Sequence, residues 1–548
     1  MTLSQYLRDY LRAYQKAYDY QHQPLINSFE IDDLALNVGK FYEKIRKVID
    51  WKEENALRRG SITRALKRKL VNQLYGFSHQ YSQEENHRLA QEFVFELMRS
   101  GYFDNKLINT YKVEAVEAIL FKYAQILIAL NSQKKGASRK DLKQKMKFQT
   151  WVLQIASCEI EECLAPAFKT QALAQLMINV FKKRIKLLPK NYLTPAAEEK
   201  FILIAVWRAL FEADYYYVAY QLIKFEYQPL LTTKISQPAI FLENFFQAKN
   251  KILTDLGSKK ARKFLQLANK YDAAYRLIGD ITKKMDPTNV AAAEKDWQDG
   301  NKVQQFYQEI YAARYKSLKK RLLRTSFWTT LSILAGNAFS VFAIEGPLAK
   351  LFGLDFSWFS IAMDILIPSI AMFILVMLIR PPVPKNQEVV WQEILKIIAQ
   401  TPEEDVYEIR QRSKTKNKIL QGFFYFSILA AGAFGLWLLY FIFHLAGLPW
   451  TSIYLNIVYI TMVISSSLNI RHKASELTIY EQSTFFDFLL DIFSIPLARI
   501  GNWFSRKWKE YNIFSIFFSV LIDTPLSLLI SFIEDWRDFL KEKKSELS

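Results

Sequence analysis

The apolar residues of this chain are concentrated in two long segments of its second half, residues 327–379 and 419–470, and lysines and arginines border both. Each segment contains two stretches that are long enough to cross a hydrocarbon layer, which takes roughly 17 to 25 mainly apolar residues per helix. The pattern predicts four transmembrane helices, arranged as two hairpins, with spans near residues 327–344, 358–379, 420–443 and 452–470. The chain is therefore predicted to be a multi-pass integral membrane protein.

The basic residues beside these spans predict their orientation, because Lys and Arg near span ends tend to stay in the cytoplasm. They lie in the segments 316–324, 380–385, 410–418 and 471–473, whereas the turns within the two hairpins carry only Lys350. Residues 1–325 hold 54 of the 73 Lys and Arg, and the first 19 residues lack the apolar core of a cleavable signal peptide. We therefore expect a plasma-membrane protein whose N- and C-termini are both cytoplasmic.

Before the first span, apolar residues recur at spacings of three and four and Gly and Pro are scarce, which is typical of helices. No segment there carries a strand pattern, so the predicted fold class is all-α. Residues 1–315 are expected to form a large, basic cytoplasmic helical domain. That domain is either a bundle or a solenoid-like stack of helical pairs, since the sequence shows no fixed repeat period that would separate the two.

The two hairpins divide the rest of the chain into four further units. Residues 316–380 and 419–471 contain the first and the second hairpin, and residues 381–418 are predicted to be a cytoplasmic helical linker. Residues 472–548 form a tail in which aspartates are interleaved with apolar and aromatic residues, the pattern of amphipathic helices. Because a crossing by the tail would leave basic residues outside the cell, we expect its helices to lie in the cytoplasmic interface of the membrane or to pack on the cytoplasmic domain.

Basic residues before the first span form five clusters, at residues 58–69, 134–147, 182–190, 259–263 and 316–324. A solvated cytoplasmic face is the plain interpretation. Attraction to anionic head groups is the sharper one, because each Lys or Arg near the membrane surface contributes about 1 kcal/mol. Nucleic acid would use similar clusters, but no recognised nucleic-acid motif accompanies them. The residues predicted to contact anionic lipid are Lys316, Lys319, Lys320, Arg321, Arg324, Arg506, Lys507 and Lys509.

Small residues recur at four-residue spacing in two of the predicted spans. Such stripes let helix backbones approach closely in lipid, where no hydrophobic force drives helices together. We expect the two stripes to pack the first span against the third, or to form a seam between two copies of the chain. The residues concerned are Ser332, Gly336 and Ser340 in the first span and Ser427, Ala431 and Gly435 in the third.

One carboxylate, Asp364, lies inside a predicted span. A charged side chain at membrane depth costs at least about 2.5 kcal/mol on insertion scales, so it normally faces the helix bundle and is a functional candidate. Asp364 either forms a hydrogen bond with Asn337 or Asn456 and fastens the spans together, or lies on a path for an ion or solute.

Sequence motifs for catalysis are absent: the chain has no phosphate loop, dinucleotide fingerprint, nucleophile elbow or zinc helix. The five histidines are scattered, and the two cysteines, Cys158 and Cys163, are predicted to be buried thiols. The acidic residues between them, Glu159 to Glu162, are interpreted as a solvated helix face. We predict no catalytic residue, cofactor or metal site, and no enzymatic activity.

Two classes of function are consistent with this pattern. The first is a membrane-tethered helical scaffold that binds a protein partner and anionic lipid at the cytoplasmic face. The alternative is a small transporter, channel or lipid-handling protein that uses Asp364 in the membrane. A scaffold should tolerate Asp364→Asn and fail without residues 1–315, whereas a transporter should fail with Asp364→Asn.

Overall fold

The computed structural model describes most of the chain and is almost entirely helical. The residues described are 2–22, 54–71, 83–99, 101–103, 108–132, 139–189, 192–232, 237–285, 289–341, 358–377, 382–399, 406–410, 418–479 and 485–510, with a few single residues. Helices account for 89% of them, and the all-α prediction is confirmed.

The first part of the chain forms a series of helices of up to 26 residues. They are α1 (Gln5–His22), α2 (Glu54–Leu66, continued by a π-helical turn, Lys67–Val71), α3 (Gln83–Arg99), α4 (Thr110–Ser132), α5 (Arg139–Leu164), α6 (Phe168–Arg184), α7 (Pro195–Phe211), α8 (Tyr215–Glu226), α9 (Pro229–Thr232), α10 (Pro238–Gly257), α11 (Lys259–Lys284) and α12 (Val290–Gln298).

The second part begins with a single 41-residue helix, α13 (Gly300–Ser340). The later helices are α14 (Trp358–Met377), α15 (Pro384–Ile398), α16 (Lys418–Leu445), α17 (Trp450–Ala474) and α18 (Phe485–Glu510). A 3-10 turn (Ser475–Leu477) directly follows α17. Two short strands, β1 (Ile185–Leu188) and β2 (Tyr407–Arg410), form a parallel pair.

Capping side chains set the starts of helices that matter for the site. The Thr194 side chain accepts a hydrogen bond from the backbone N–H of Ala197 at the start of α7. Asp214 caps α8 in the same way, accepting from the N–H of Tyr217 at 2.9 Å. Each cap satisfies a backbone donor that a helix start leaves unpaired, so α7 and α8 begin at fixed points in the chain.

One hydrophobic core joins elements that are far apart in the sequence. Leu7 of α1, Tyr123 of α4, Tyr275 of α11 and Ile394 of α15 all belong to it and have no exposed surface. α1 packs on α6, α12 and α15. In a solenoid each repeat contacts only its neighbours, whereas here α1 contacts helices that are far along the chain. We call the body around this core the helical domain; it comprises α1–α12, α15, the two strands and the first half of α13.

The predicted linker is part of the helical domain and contributes a strand to it. β2 pairs with β1 in parallel, with Ile185 opposite Tyr407 and Leu188 opposite Arg410. No strand was predicted before the first span, and β1 is the exception to that prediction. β1 is a four-residue run that directly follows a helix, and a two-residue period over so few residues cannot be told from helical periodicity.

Two helical stretches among the described residues are long and apolar enough to cross a membrane, Phe426–Leu445 and Trp450–Leu477, and Ile361–Met377 is a shorter apolar helix. They coincide with the third, fourth and second predicted spans. The first predicted span falls in the last part of α13, and its residues 342–344 lie outside the described part of the chain.

We call α14, α16, α17, α18 and the end of α13 the apolar bundle, and α17 is its centre, packing on the other four. α18 runs antiparallel to α17. Asp491 pairs with Arg471 at 2.9 Å, and ten residues further along α18 Gly501 lies against the backbone of Thr461. This helix was predicted to lie in the cytoplasmic interface of the membrane or to pack on the cytoplasmic domain. In the structure it packs on α16 and α17, and an interfacial location stays a prediction. The rest of the predicted tail, after residue 510, lies outside the described residues except for Trp536.

The two small-residue stripes do not meet. Ser332 and Gly336 are exposed, and a Cβ added at Gly336 would meet nothing within 4 Å. Gly435 faces α18 instead, where its Cβ would lie 3.3 Å from Leu497. The predicted contact between the first and third spans is wrong, because α18 covers that face of α16. Of the remaining stripe residues, Ser427 is exposed, Ala431 is half-buried and the side chain of Ser340 lies outside the described residues. A seam between two copies stays a prediction.

Candidate functional site

A cavity of about 680 Å³ lies where the helical domain meets the apolar bundle. Four elements line it: α7, α11, α13, and the end of α17 with its 3-10 turn. Eight of its thirteen lining residues have titratable side chains, so the cavity is suited to a charged ligand and not to an apolar one. We call it the junction cavity.

The 3-10 turn in the cavity wall is held by Asn386 of α15, which is fully buried. The side-chain amide of Asn386 donates to the carbonyl oxygen of Leu477 at 2.5 Å, and its side-chain oxygen accepts from the N–H of Ile479 at 2.8 Å. Because α15 is part of the helical-domain core, these bonds fix the end of α17 to the domain. The cavity therefore has fixed walls on both sides.

Glu476 on this turn is the centre of an ion-pair network that three arginines form. Its carboxylate lies 3.4 Å from Arg276 of α11 and 3.9 Å from Arg314 of α13. It also contacts Arg321, two turns further along α13. Arg276 in turn pairs with Asp272 at 3.0 Å. The network joins α11, α13 and the end of α17, and it gives both Glu476 and Asp272 an arginine partner.

Burial raises the pKa of Asp272 to about 7, and the Arg276 guanidinium opposes that shift. A carboxyl group with this pKa is partly protonated at neutral pH and carries less than a full negative charge. The cavity therefore becomes more positive as the pH falls through 7. The sign for stability follows from linkage: the contribution of Asp272 is present at low pH and is lost as the pH rises through its folded-state pKa.

Three basic side chains of the cavity, Arg208, His472 and Lys473, are exposed and form no ion pair with any residue that the structure describes. Arg208 belongs to α7, whereas His472 and Lys473 belong to the last turn of α17. These side chains line the same cavity from different helices. The positive charges of Arg208 and Lys473 are therefore available to a bound anion.

Glu212 lies between two cavities in a left-handed backbone conformation, with φ 47° and ψ 33°. It lines the junction cavity and also a second cavity of about 280 Å³ on the other side of the turn between α7 and α8. A residue other than glycine in this conformation costs about 1–3 kcal/mol, and such residues are concentrated at functional sites. The N–H of Glu212 donates to the carbonyl oxygen of Trp207, so this conformation ends α7.

The three polar residues predicted inside the apolar spans are all buried in the apolar bundle: Asn337, Asp364 and Asn456. The structure brings two of them together. The side-chain amide of Asn456 donates to Oδ1 of Asp364 and to the carbonyl oxygen of Ser452, the latter at 3.1 Å. This contact joins α14 to α17. Asn337 lies on α13, which packs on both of these helices.

The predicted lipid-contact residues fall into three groups. Lys316, Lys319, Lys320 and Arg324 lie on the exposed surface of α13. Arg321 is engaged with Glu476 and lines the junction cavity. Arg506, Lys507 and Lys509 lie in the last two turns of α18, and their side chains are outside the described residues.

Sequence analysis missed a buried ionic network beside the second cavity. Glu161, interpreted as part of a solvated face, is 5% exposed and pairs with Arg58 at 2.6 Å and with Arg59 at 3.0 Å. Arg59 also reaches Asp214 at 2.5 Å. The available signal was the apolar character of the second half of α5, residues 151–164, because a carboxylate in such a segment must be buried and paired. The neighbouring Glu159 and Glu162 pair with Lys122 and Lys224.

The two cysteines are free thiols. Burial raises the pKa of Cys158 well above its usual value and that of Cys163 to about 11, so both are protonated at neutral pH and are weak nucleophiles. In the part of the chain that the structure describes, no three His, Cys, Asp or Glu side chains are grouped to hold a metal ion.

Comparisons of the chain with protein-family models, with curated proteins and with solved structures found no match. The function is therefore inferred from the geometry of the molecule itself.

Proposed function

We propose that this protein spans the membrane four times and holds its helical domain at the cytoplasmic face, where the domain acts as a scaffold for a protein partner. In this proposal the end of α13 and the helices α14, α16 and α17 are the spans. α18 packs beside α16 and α17. The basic residues beside the spans support the cytoplasmic side of the domain, and we propose the plasma membrane as its location.

The observation that carries this proposal is the continuity of α13. Its first half belongs to the domain core through Val303, Tyr307 and Tyr311, all of them buried. Its second half exposes Phe327 and Trp328. At 1.5 Å per residue its 41 residues form a rod about 60 Å long. A continuous helix cannot swing like a flexible linker, so the domain would be held at a fixed height above the membrane.

The outer surface of the apolar bundle supports its location in lipid. Large side chains point outward on several of its helices, including Phe339 of α13, which is 71% exposed, Phe373 of α14, which is 57% exposed, and Leu429 of α16, which is 71% exposed. Soluble monomers rarely expose contiguous apolar patches larger than a few hundred Å². Surrounding hydrocarbon removes the cost of exposing these residues to water.

The contact at Asp364 favours the scaffold over the transport alternative. Asn456 donates to Asp364, and the two residues link α14 to α17 in the middle of the bundle. A carboxyl group in this position serves helix packing, for which an interhelical hydrogen bond contributes about 0.6 kcal/mol on average. An asparagine at position 364 would retain an oxygen acceptor for Asn456, which is why the scaffold tolerates it.

The proposal is tested by cross-linking the full-length protein in cells and purifying it through a high-salt wash. We expect a specific protein partner that survives the wash and is lost when residues 1–299 are deleted. This deletion leaves α13 whole, and the truncated chain must still fractionate with membranes. Recovery of only anionic lipid and further copies of the chain, or a partner that still binds the truncated chain, would refute the scaffold.

A further inference from the structure

We propose that the junction cavity binds a phosphomonoester group, which either a membrane lipid headgroup or a soluble molecule carries. The inference rests on the proposed membrane location only for the lipid source of that group. The cavity's fixed walls and its unpaired basic side chains are features of the described structure and do not depend on a membrane.

Charge is the first reason for an anion. Arg208, Arg276, Arg321 and Lys473 are permanent cations in the cavity wall. Arg276 and Arg321 are already engaged by Glu476, so Arg208 and Lys473 remain for a ligand. A phosphomonoester carries a charge of about −1.5 to −2 at neutral pH, which two such cations from different helices can balance.

Hydrogen-bonding capacity is the second reason. A guanidinium offers five N–H donors in a planar fork and an ammonium offers three. Arg208 and Lys473 supply these, while His472 and the side-chain amide of Asn269 line the same cavity. The terminal phosphate has three strong acceptor oxygens, whereas a phosphodiester has one charge and two such oxygens. The set of donors therefore fits the monoester better.

The place of the cavity in the molecule favours a lipid as the source. Arg321 lies six residues before Phe327, and His472 and Lys473 follow Ile470 closely. The cavity is thus at the level where apolar side chains give way to basic ones, which is head-group depth for a membrane protein. Its volume of about 680 Å³ is within the usual range of small-molecule sites, roughly 300–1,000 Å³.

Glu212 is expected to limit the affinity. Its carboxylate is exposed at the cavity wall and, among the described residues, has no cationic partner. A like charge beside a bound phosphate weakens binding, so Glu212→Gln should strengthen it by about two- to fivefold. A merely structural role of this turn would not produce tighter phosphate binding.

The experiment uses the full-length chain in a neutral detergent, with native mass spectrometry to measure the binding of phosphatidic acid, phosphatidylserine and phosphatidylcholine. We expect one phosphatidic acid per chain, bound at least about tenfold more tightly than phosphatidylserine. The double variant Arg208→Gln/Lys473→Gln should bind phosphatidic acid at least about tenfold more weakly, because each cation near the surface raises the affinity about fivefold. Both side chains are exposed and lack ion-pair partners among the described residues, so the unfolding temperature should stay close to that of the natural chain.

The matched control is Arg12→Gln/Lys16→Gln, which removes the same charge from the exposed face of α1, away from the cavity and from the predicted lipid contacts, and should change the affinity by less than twofold. Displacement of phosphatidic acid by glycerol 3-phosphate would assign the site to a soluble ligand, and resistance to displacement would assign it to the lipid. The proposal is overturned if phosphatidic acid and phosphatidylserine bind equally, if the control loses as much as the cavity variant, or if Glu212→Gln weakens binding. Such a failure would leave the capture of a protein partner unaffected, so the two proposals fail separately.

Discussion

Replacing Arg59 with alanine is expected to lower the free energy of unfolding of the helical domain by about 1.5–3 kcal/mol, the contribution of hydrogen bonds to charged groups. The Arg59 side chain is 9% exposed and lies between Glu161, whose side chain is 6% exposed, and Asp214. Its guanidinium also lies over the ring of Tyr217, at 5.1 Å from the centroid. Without Arg59 the buried carboxylate of Glu161 would keep Arg58 as a partner but would lose one of its two charged hydrogen-bond donors.

The measurement is thermal and denaturant unfolding of the full-length chain, followed by circular dichroism. Arg68→Ala is the matched control, because Arg68 follows on the same helical segment and pairs with Glu96 while its own side chain is 46% exposed. An exposed pair of this kind contributes less than about 1 kcal/mol. Equal effects of the two substitutions would mean that the Arg59 network is solvated and does not stabilise the domain.

Gly501→Ala is expected to displace α18 from α17. A Cβ at position 501 would lie 2.0 Å from the carbonyl oxygen of Thr461 and 2.9 Å from the backbone nitrogen of Met462, so one of the two backbones must move. Overpacking of this kind costs about 1–3 kcal/mol, and more where the obstacle is backbone. Alanine stabilises a helix relative to glycine by about 0.5–1 kcal/mol, so any loss of stability on this substitution must come from the packing of α18 on α17.

A disulfide between positions 465 and 502 reports the contact of these helices. The hydroxyl of Ser465 donates to Oδ1 of Asn502 at 2.8 Å, so Ser465→Cys/Asn502→Cys should cross-link efficiently under mild oxidation. Adding Gly501→Ala should reduce the cross-link severalfold. Gly336→Ala is the control, because its Cβ would meet nothing within 4 Å and should leave the yield unchanged. Cross-linking that is insensitive to Gly501→Ala would contradict the close approach of α18 to α17.

The helical class and three of the apolar helices were predictable because their signals are local. A run of apolar residues, such as Phe426–Leu445, and a capped start, such as Thr194 before α7, are visible without knowledge of the fold. Length and periodicity alone predict such elements. The continuity of α13 was not predictable in the same way, since its polar first half and apolar second half suggest two separate helices.

The features that the sequence did not reveal depend on contacts between distant segments. β1 becomes a strand because β2, more than 200 residues later, pairs with it. The burial of Glu161 depends on Arg59, which comes from another helix. The position of α18 depends on glycines that let helices pack closely against one another. The charges near span ends, on which the prediction rested, carry no information about such packing.

The junction cavity was only partly visible in the sequence. Arg321 belongs to a basic cluster that was predicted to contact anionic lipid, and the structure places it in the cavity wall. Arg208 and Asp272 carry no signal of their own, because each is a single charged residue on a helix. Arg208 and Asp272 line one cavity with Glu476 only because the end of α17 docks on the helical domain.

The proposed membrane topology is tested most directly by labelling introduced cysteines with a membrane-impermeant maleimide in intact and in permeabilised cells. Three exposed positions are suitable: Lys319 of α13, Glu408 of β2 and Ala446 in the turn between α16 and α17. The natural chain gives the background labelling, which should be low because its two thiols have raised pKa values. We expect Ala446→Cys to be labelled in intact cells, and Lys319→Cys and Glu408→Cys to be labelled only after permeabilisation. Labelling of Lys319→Cys in intact cells, or protection of Ala446→Cys until the cells are opened, would contradict a helical domain held at the cytoplasmic face by membrane-spanning helices.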